Sequence, residues 1–322
     1  MSLAFIAGTR SLRALGLGVV LGVLAPLVAA QNIAVVVSEE TSAYIEIADG
    51  VRRMVEDKIQ STPKVVTIPV RRLVGGDTDI FKTDFYQLVV TVGAHAANVV
   101  AKIEIKAPVL NTLIPRALYE RLATHGTADG QNSAIYLDQP IARQLELARL
   151  ILPGKSRLCV LYGSQSRAYI VEFERMATAK GYSVVAEMVD RASDLGPVLR
   201  RSLSRCEFLL ALPDADIFNR NTIQQILLTS YHSNDPVIAF SAAHVKSGAL
   251  AAVFTSPGQV ARHTAEVILK LYADGNFSLP PPQFPLYWSV SVNRQVARSL
   301  GLAIDDDKEL QTKLSKVSEE VQ

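Results

Sequence analysis

Leu88-Val89-Val90-Thr91-Val92-Gly93-Ala94-His95-Ala96-Ala97 decides the fold. Its first five residues have no polar face, as expected of a strand buried on both sides of a sheet. Gly93 ends the strand, and a helix is expected from Ala94 to Ile103. A strand that feeds a helix through one glycine is half of a βαβ unit, so the question is whether the unit repeats.

It repeats in both directions. Upstream, Ile33 to Val37 and Lys64 to Pro69 read as strands around a helix from Ala43 to Ile59. Downstream, Val109 to Ile114 and Ser133 to Leu137 read as strands, with Pro115 opening a short helix between them. Asp138-Gln139-Pro140 is a turn, and the pattern then restarts. A helix from Ile141 to Leu152 stops at Pro153-Gly154. Strands follow at Arg157–Tyr162, Tyr182–Met188, Phe208–Leu212, Val237–Phe240 and Ala249–Phe254. Helices are expected at Ala168–Lys180, Leu195–Ser204, Ile217–Tyr231 and Pro257–Tyr272. The proline-rich connector Leu279 to Pro285 is stiff and leads to a strand ending at Val292 and a helix from Asn293 to Leu300. The fold class is therefore α/β, with two doubly wound parallel-sheet lobes joined by a hinge. The expected division is 31–138 and 139–280 for the lobes, 281–304 for a return segment on the N-terminal lobe, and 305–322 for a charged, fraying tail.

Ahead of this lies an export signal. Arg10 and Arg13 precede the uncharged run Ala14 to Val28, and Val28-Ala29-Ala30 places small residues before Gln31. The run is short for a membrane span, and an uncleaved anchor is the alternative. Cleavage near Ala30 places a diffusible chain in the periplasm and leaves roughly 290 residues, comfortable for two cores. Composition is ordinary, with 49% hydrophobic and 20% charged residues, and the net charge of +2 gives no footprint for nucleic acid. Of the two cysteines, Cys159 lies in an apolar run where a thiol acts as a small hydrophobe. Two free thiols are expected, with a bridge as the alternative that export allows.

No catalytic set emerges. Gly76 to Thr83 has a Walker-like outline but lacks the glycine before Lys82, and Gly16-Leu17-Gly18 lies in the leader. Gly163 to Arg167 begins like a nucleophile elbow but ends in arginine. The five histidines have no ligand spacing, so neither a metal nor a cofactor is expected. What remains is polar loops at the carboxyl ends of the strands, where open α/β sheets bind ligands. These hold Ser38, Thr41 and Ser42; Gly93, Ala94 and His95; Arg116; Ser164, Gln165 and Ser166; Asp214; and Ser241. The Gly93 helix end suits a carboxylate or phosphate. Each has a plainer alternative: Gly93 as a turn, Ser164, Ser166 or Asp214 as helix caps, Arg116 as a solvated charge.

Several segments resemble the substrate-binding proteins of ABC transporters of the type that includes tryptophan- and tyrosine-binding members. They are Leu88 to Ala97, Leu152 to Leu158, Val160 to Tyr162, Val245 to Val253, Gln259 to Ile268, Ser289 to Ala297 and Leu300 to Leu302. The resemblance implies a type I periplasmic binding fold, a small-molecule solute held between lobes that close on a hinge, an inner-membrane ABC permease as partner, a monomer, and no enzymatic activity. It places a carboxylate at Gly93, with Ser164 to Ser166 and Asp214 acting from the other lobe. Tyr162 to Ser166 lacks the family's Glu and Asn, and Ser38-Glu39-Glu40 stands where His-Pro is common. These departures motivate the alternative, a sensory protein of the same fold that signals to a membrane kinase.

Overall fold

The computed structural model describes residue 1 and residues 32–59, 63–82, 85–123 and 131–319. Beyond Met1, the expected leader lies outside the described residues. The first lobe is built from β1 (Asn32–Val37), α1 (Ser42–Glu56), β2 (Val65–Pro69), α2 (Val70–Val74), β3 (Tyr86–Val92), α3 (Ala94–Val100), β4 (Val109–Ile114), α4 (Arg116–Ala123) and β5 (Asn132–Tyr136). Its sheet is all parallel in the order β2-β1-β3-β4-β5. The apolar run of β1 has a direct cause. Ile33, Val35 and Val37 face a layer containing Ile47 and Val51 of α1, while Ala34 and Val36 face Leu73 of α2 and Ala96 of α3.

The second lobe contains α5 (Ile141–Ile151), β6 (Arg157–Tyr162), α6 (Ile170–Ala179), β7 (Ser183–Met188), α7 (Leu195–Leu203), β8 (Phe208–Leu210), α8 (Ile223–His232), β9 (Val237–Ala239), α9 (Ala242–Ser247) and β10 (Ala251–Phe254). Here too alternate residues serve two layers: Leu158 and Val160 of β6 pack with α5 and α6, Leu161 with α7 and α8. The helix expected over Ile217–Tyr231 begins only at Ile223. Before it, Asn219 N–H donates to Thr222 Oγ1 (3.1 Å) and Asn221 N–H to Asn219 Oδ1 (3.0 Å). Such local bonds compete with helix formation.

The chain then leaves this lobe. α10 (Pro257–Asp274) opens with a capping box between Ser256 and Gln259, with Pro257 at its start. It lies not on its own sheet but on α1 of the first lobe, where Val260, Ala261 and Ile268 join the core. The approach is close enough that a Cβ at Gly50 would sit 2.7 Å from that of Ala261. The connector extends this docking: Leu279 is buried in the same core and Phe284 meets the ring of Tyr136 at 5.4 Å. The chain then returns. β11 (Ser289–Val292) pairs antiparallel with β10, completing a sheet ordered β11-β10-β9-β8-β6-β7. It is followed by α11 (Arg294–Ser299) and α12 (Asp307–Glu319).

The expected return segment, 281–304, is thereby corrected: most of it belongs to the second lobe, and α10 is the element that reaches the first. The expected tail is corrected as well. Leu310 and Leu314, four residues apart on one helix face, are buried against the second core, while Lys313 pairs with Asp305 and Glu309 outside.

The cysteines are bridged. Cys159 points to the α7 side of β6, and Cys206 follows α7 on its way to neighbouring β8, bringing their Cα atoms to 5.7 Å. Alternation along β6 explains the error of reading Cys159 as a plain hydrophobe, since burial and bridging coincide there. Linking residues 47 apart constrains the unfolded chain by roughly 4 kcal/mol in the chain-entropy picture. Reduction, or a Cys159→Ala/Cys206→Ala pair, is expected to lower unfolding stability by about 2–4 kcal/mol in denaturant titrations. An unchanged midpoint after reduction means the thiols are free in solution.

Candidate functional site

Three segments cross between the lobes: Tyr136 to Ile141, Phe254 to Pro257, and the connector ending at Ser289. One chain of hydrogen bonds ties all three. Gln139 Nε2 donates to Thr255 Oγ1 (2.8 Å), and Thr255 Oγ1 donates to the Tyr287 carbonyl (3.1 Å). Arg143 fixes the other end of Gln139, donating to its Oε1 at 2.7 Å, and lies over the Trp288 ring at 4.6 Å. Burial lowers the Arg143 pKa to about 10.

Beside this junction lies a small cavity of about 40 Å³ that opens to solvent. The first lobe contributes Arg116 and Ala117 from the start of α4, and the connector contributes Phe284. The second lobe contributes Ser166, Tyr169, Phe173, Leu212 and Pro213, while Asp138, Gln139, Ile141 and Gln144 come from the crossing and the start of α5. Arg116 spans the cleft. Its Nε donates to Glu120 (2.8 Å) on its own lobe, one terminal nitrogen donates to Glu172 (3.4 Å) on the other, and its plane lies over the Tyr169 ring at 4.7 Å. Burial works against this charge, but the bond to Glu120 and the nearby carboxylates outweigh it and raise the Arg116 pKa. Burial, then Glu120, pushes the Tyr169 phenol up as well. Asp138 accepts the Arg116 backbone N–H at 2.7 Å, capping α4 across the crossing. Burial pushes its carboxyl up to about 6.

Of the residues singled out in the sequence, Arg116 and Ser166 line this pocket; the others lie elsewhere along the strand ends. Asp214 is a hub rather than an open acceptor. Almost fully buried, it takes the N–H groups of Gly163 (2.9 Å), Ser166 (3.1 Å) and Asp216 (2.9 Å), and the Ser166 hydroxyl (2.6 Å). Those four donors leave the carboxylate little capacity for a ligand. Ser164 and Gln165 both bond to Asp216, at 2.8 and 2.9 Å. Ser241 caps α9 through the His244 N–H.

At the other strand ends, Gly93 adopts a positive φ of 94°. A Cβ there would collide with Ser38 Oγ and the Tyr44 ring, each at 2.6 Å. Ser38 Oγ itself takes the Ala96 N–H at 2.9 Å. The expected carboxylate position at Gly93 is thus partly filled by the chain's own hydroxyl and covered by Tyr44. Ala94 and exposed His95 open α3, and Thr41 and exposed Ser42 open α1 without a side-chain cap bond.

Sequence reading passed over Tyr169, Glu172, Asp138 and Gln139. The signal for the last two was the turn between the two strand–helix runs, since a turn joining lobes is also a wall of the cleft. Arg220 was also missed: it reaches Glu39 of the first lobe at 3.1 Å. With Arg220 84% exposed, that pair contributes little stability, but it marks a second place where the strand-end loops of the two lobes face each other. Among the described residues, no group of His, Cys, Asp and Glu is arranged to hold a metal, and no helix is long and apolar enough to cross a membrane.

Residues 72–311 match the family described as ABC transporter substrate binding protein. No curated protein matches the chain. Among solved structures, the ABC domain in complex with L-Trp from Streptococcus pneumonia aligns with a TM-score of 0.67 at 17% identity, covering 86% of this chain and 96% of that one. The ligand-free, open form of a substrate-binding protein with adhesive properties from Clostridium difficile aligns at 0.70 and 16%, covering 86% and 97%. A conserved domain protein from Vibrio cholerae aligns at 0.65 and 16%, covering 86% and 96%. At these identities the likeness is one of fold, and the fold is the type I periplasmic binding architecture.

Asp138 supplies a test of the site's electrostatics. Its folded pKa, about 6, lies above the ordinary 3.8, so the folded state binds the proton more tightly. That contribution is fully present below about pH 4 and lost as pH rises through 6. Asp138→Asn keeps an acceptor for the Arg116 N–H without the charge. At pH 7 to 8 it is expected to be more stable than the wild type by on the order of 1 kcal/mol, allowing for partial exposure. Melting curves across pH should show the gap closing below about pH 4; a gap independent of pH contradicts the assignment.

Proposed function

The chain belongs to the ABC transporter substrate binding protein family, and on that premise we propose that it is the extracytoplasmic solute-binding component of an ABC importer. It takes a small organic solute into the pocket lined by Arg116, Tyr169 and Phe173 and delivers it to an inner-membrane permease. The observation that carries this reading is the placement of the pocket. It is walled from both lobes and lies against the bonded junction of the three crossings, so a solute there touches both lobes at once. A ligand that contacts both halves favours the closed arrangement by its differential affinity for it. The apolar majority of the wall, with a few placed polar groups, is the make-up of a small-molecule site.

The export signal expected from the sequence and the disulfide support a location outside the cytosol, where such bridges persist. Asp214 and Ser166 serve the site by fixing the loop that carries Tyr169, rather than by contacting the solute with the Asp214 carboxylate. Arg116 and Tyr169 are the contact residues proposed here, one from each lobe.

Ligand-stripped protein should give a stabilising hit in a thermal-shift screen of small organic solutes. At a hundredfold excess over Kd, binding stabilises by about 2.7 kcal/mol, worth several degrees in melting temperature. The same solute should shrink the radius of gyration in small-angle scattering, and Tyr169→Ala should weaken it by roughly tenfold or more. A broad screen without a stabilising solute, or a bound solute unaffected by Tyr169→Ala, counts against the proposal.

A further inference from the structure

Resting on the reading that the lobes part and close about the three crossings, we infer that the cleft carries its own latch. Side chains of opposite charge reach across it from two separate strand ends and hold part of the population closed before any solute arrives. The first bridge starts beyond β4. Arg116 donates to Glu172 of the second lobe at 3.4 Å and stacks on the Tyr169 ring at 4.7 Å, while Glu120 takes its Nε at 2.8 Å and so sets the direction of the guanidinium. The second bridge starts beyond β1, where Glu39 accepts from Arg220 of the second lobe at 3.1 Å. In the sheet β3 separates β1 from β4, so at about 4.8 Å per strand the two bridges leave the first lobe roughly 10 Å apart. Their polarity is opposite: the first lobe supplies the cation at one and the carboxylate at the other. A single bridge would leave the lobes free to pivot about it. Two bridges, with the crossings as a third anchor, fix both the opening and the twist.

The size of the cavity gives the latch its consequence. At about 40 Å³ it has room for a few waters, so an organic solute enters only when the lobes part. Association is then slowed by the fraction of molecules held shut, and the lobes reclose around what has entered. The two bridges differ in weight. Arg116 and Glu172 are 27% and 36% exposed, against 84% and 48% for Arg220 and Glu39, and the stacking on Tyr169 adds to the first bridge alone. Pairs this accessible weaken as salt rises, so the closed fraction depends on ionic strength.

The test is the distribution of distances between two spin labels on the full, ligand-stripped mature chain. Val74→Cys and Ala243→Cys carry them, at exposed sites after the carboxyl ends of β2 and β9; the native cysteines are bridged and take no label. At low salt a shorter, closed population is expected beside a longer, open one. Glu172→Gln and Arg220→Gln should each lower the closed-to-open ratio by roughly two- to fivefold, and together by about tenfold. Raising salt to about 1 M should move the wild type the same way. Glu39→Arg alone should open the cleft, and Glu39→Arg with Arg220→Glu should close it again, a recovery that general loosening of the fold does not give. A wild type with no closed population at low salt overturns the latch, as does a closed fraction that neither the variants nor salt move; with an open population present, the hinge reading stands in both cases. A single distance under every condition overturns the hinge reading together with the latch.

Discussion

The structure depends on a short bonded path, Gln139 to Thr255 to the Tyr287 carbonyl, that pins three chain crossings together. Each bond is modest, on the order of 1 kcal/mol net. Their weight lies in position. The lobes are not independent halves of sequence: α10 leaves the second lobe to complete the first, and β11 and α12 come back to complete the second. Neither core closes without a crossing, so the relative placement of the lobes is set where the crossings meet. The pocket lies against that junction, and its walls therefore respond to any movement there.

The strand-end loops illustrate a second constraint. Loops at the carboxyl ends of parallel strands must satisfy their own backbone before they can serve a ligand. Asp214 takes four donors from two loops, and Ser38 supplies the cap that Gly93 cannot. Polar residues that look like ligand groups in the sequence are here the framework of the cleft. The pocket's recognition groups stand one step further on, in Tyr169 after the Ser164–Ser166 loop and in Arg116 after β4.

Much of this was legible in the sequence. Near-continuous apolar runs such as Ile33 to Val37 and Leu88 to Val92 announce doubly covered strands, and glycines and prolines mark their ends. Less legible was anything fixed by long-range partnership. The Ser289 to Val292 strand reads equally well on either lobe, and its antiparallel pairing with β10 decides it. The bridging of Cys159 depends on where α7 delivers Cys206. Arg116 as a cross-cleft residue depends on Glu172, 56 positions away. Local pattern cannot encode such distances, nor the convergence of four donors on Asp214.

The most direct measurement of the central claim is a crystal structure with the tightest-binding solute. The account predicts density in the pocket beside the stacked Arg116 and Tyr169, contacted from both lobes, with Gln139, Thr255 and Tyr287 still bonded beside it. Density confined to one lobe, or seated away from that junction, would contradict it.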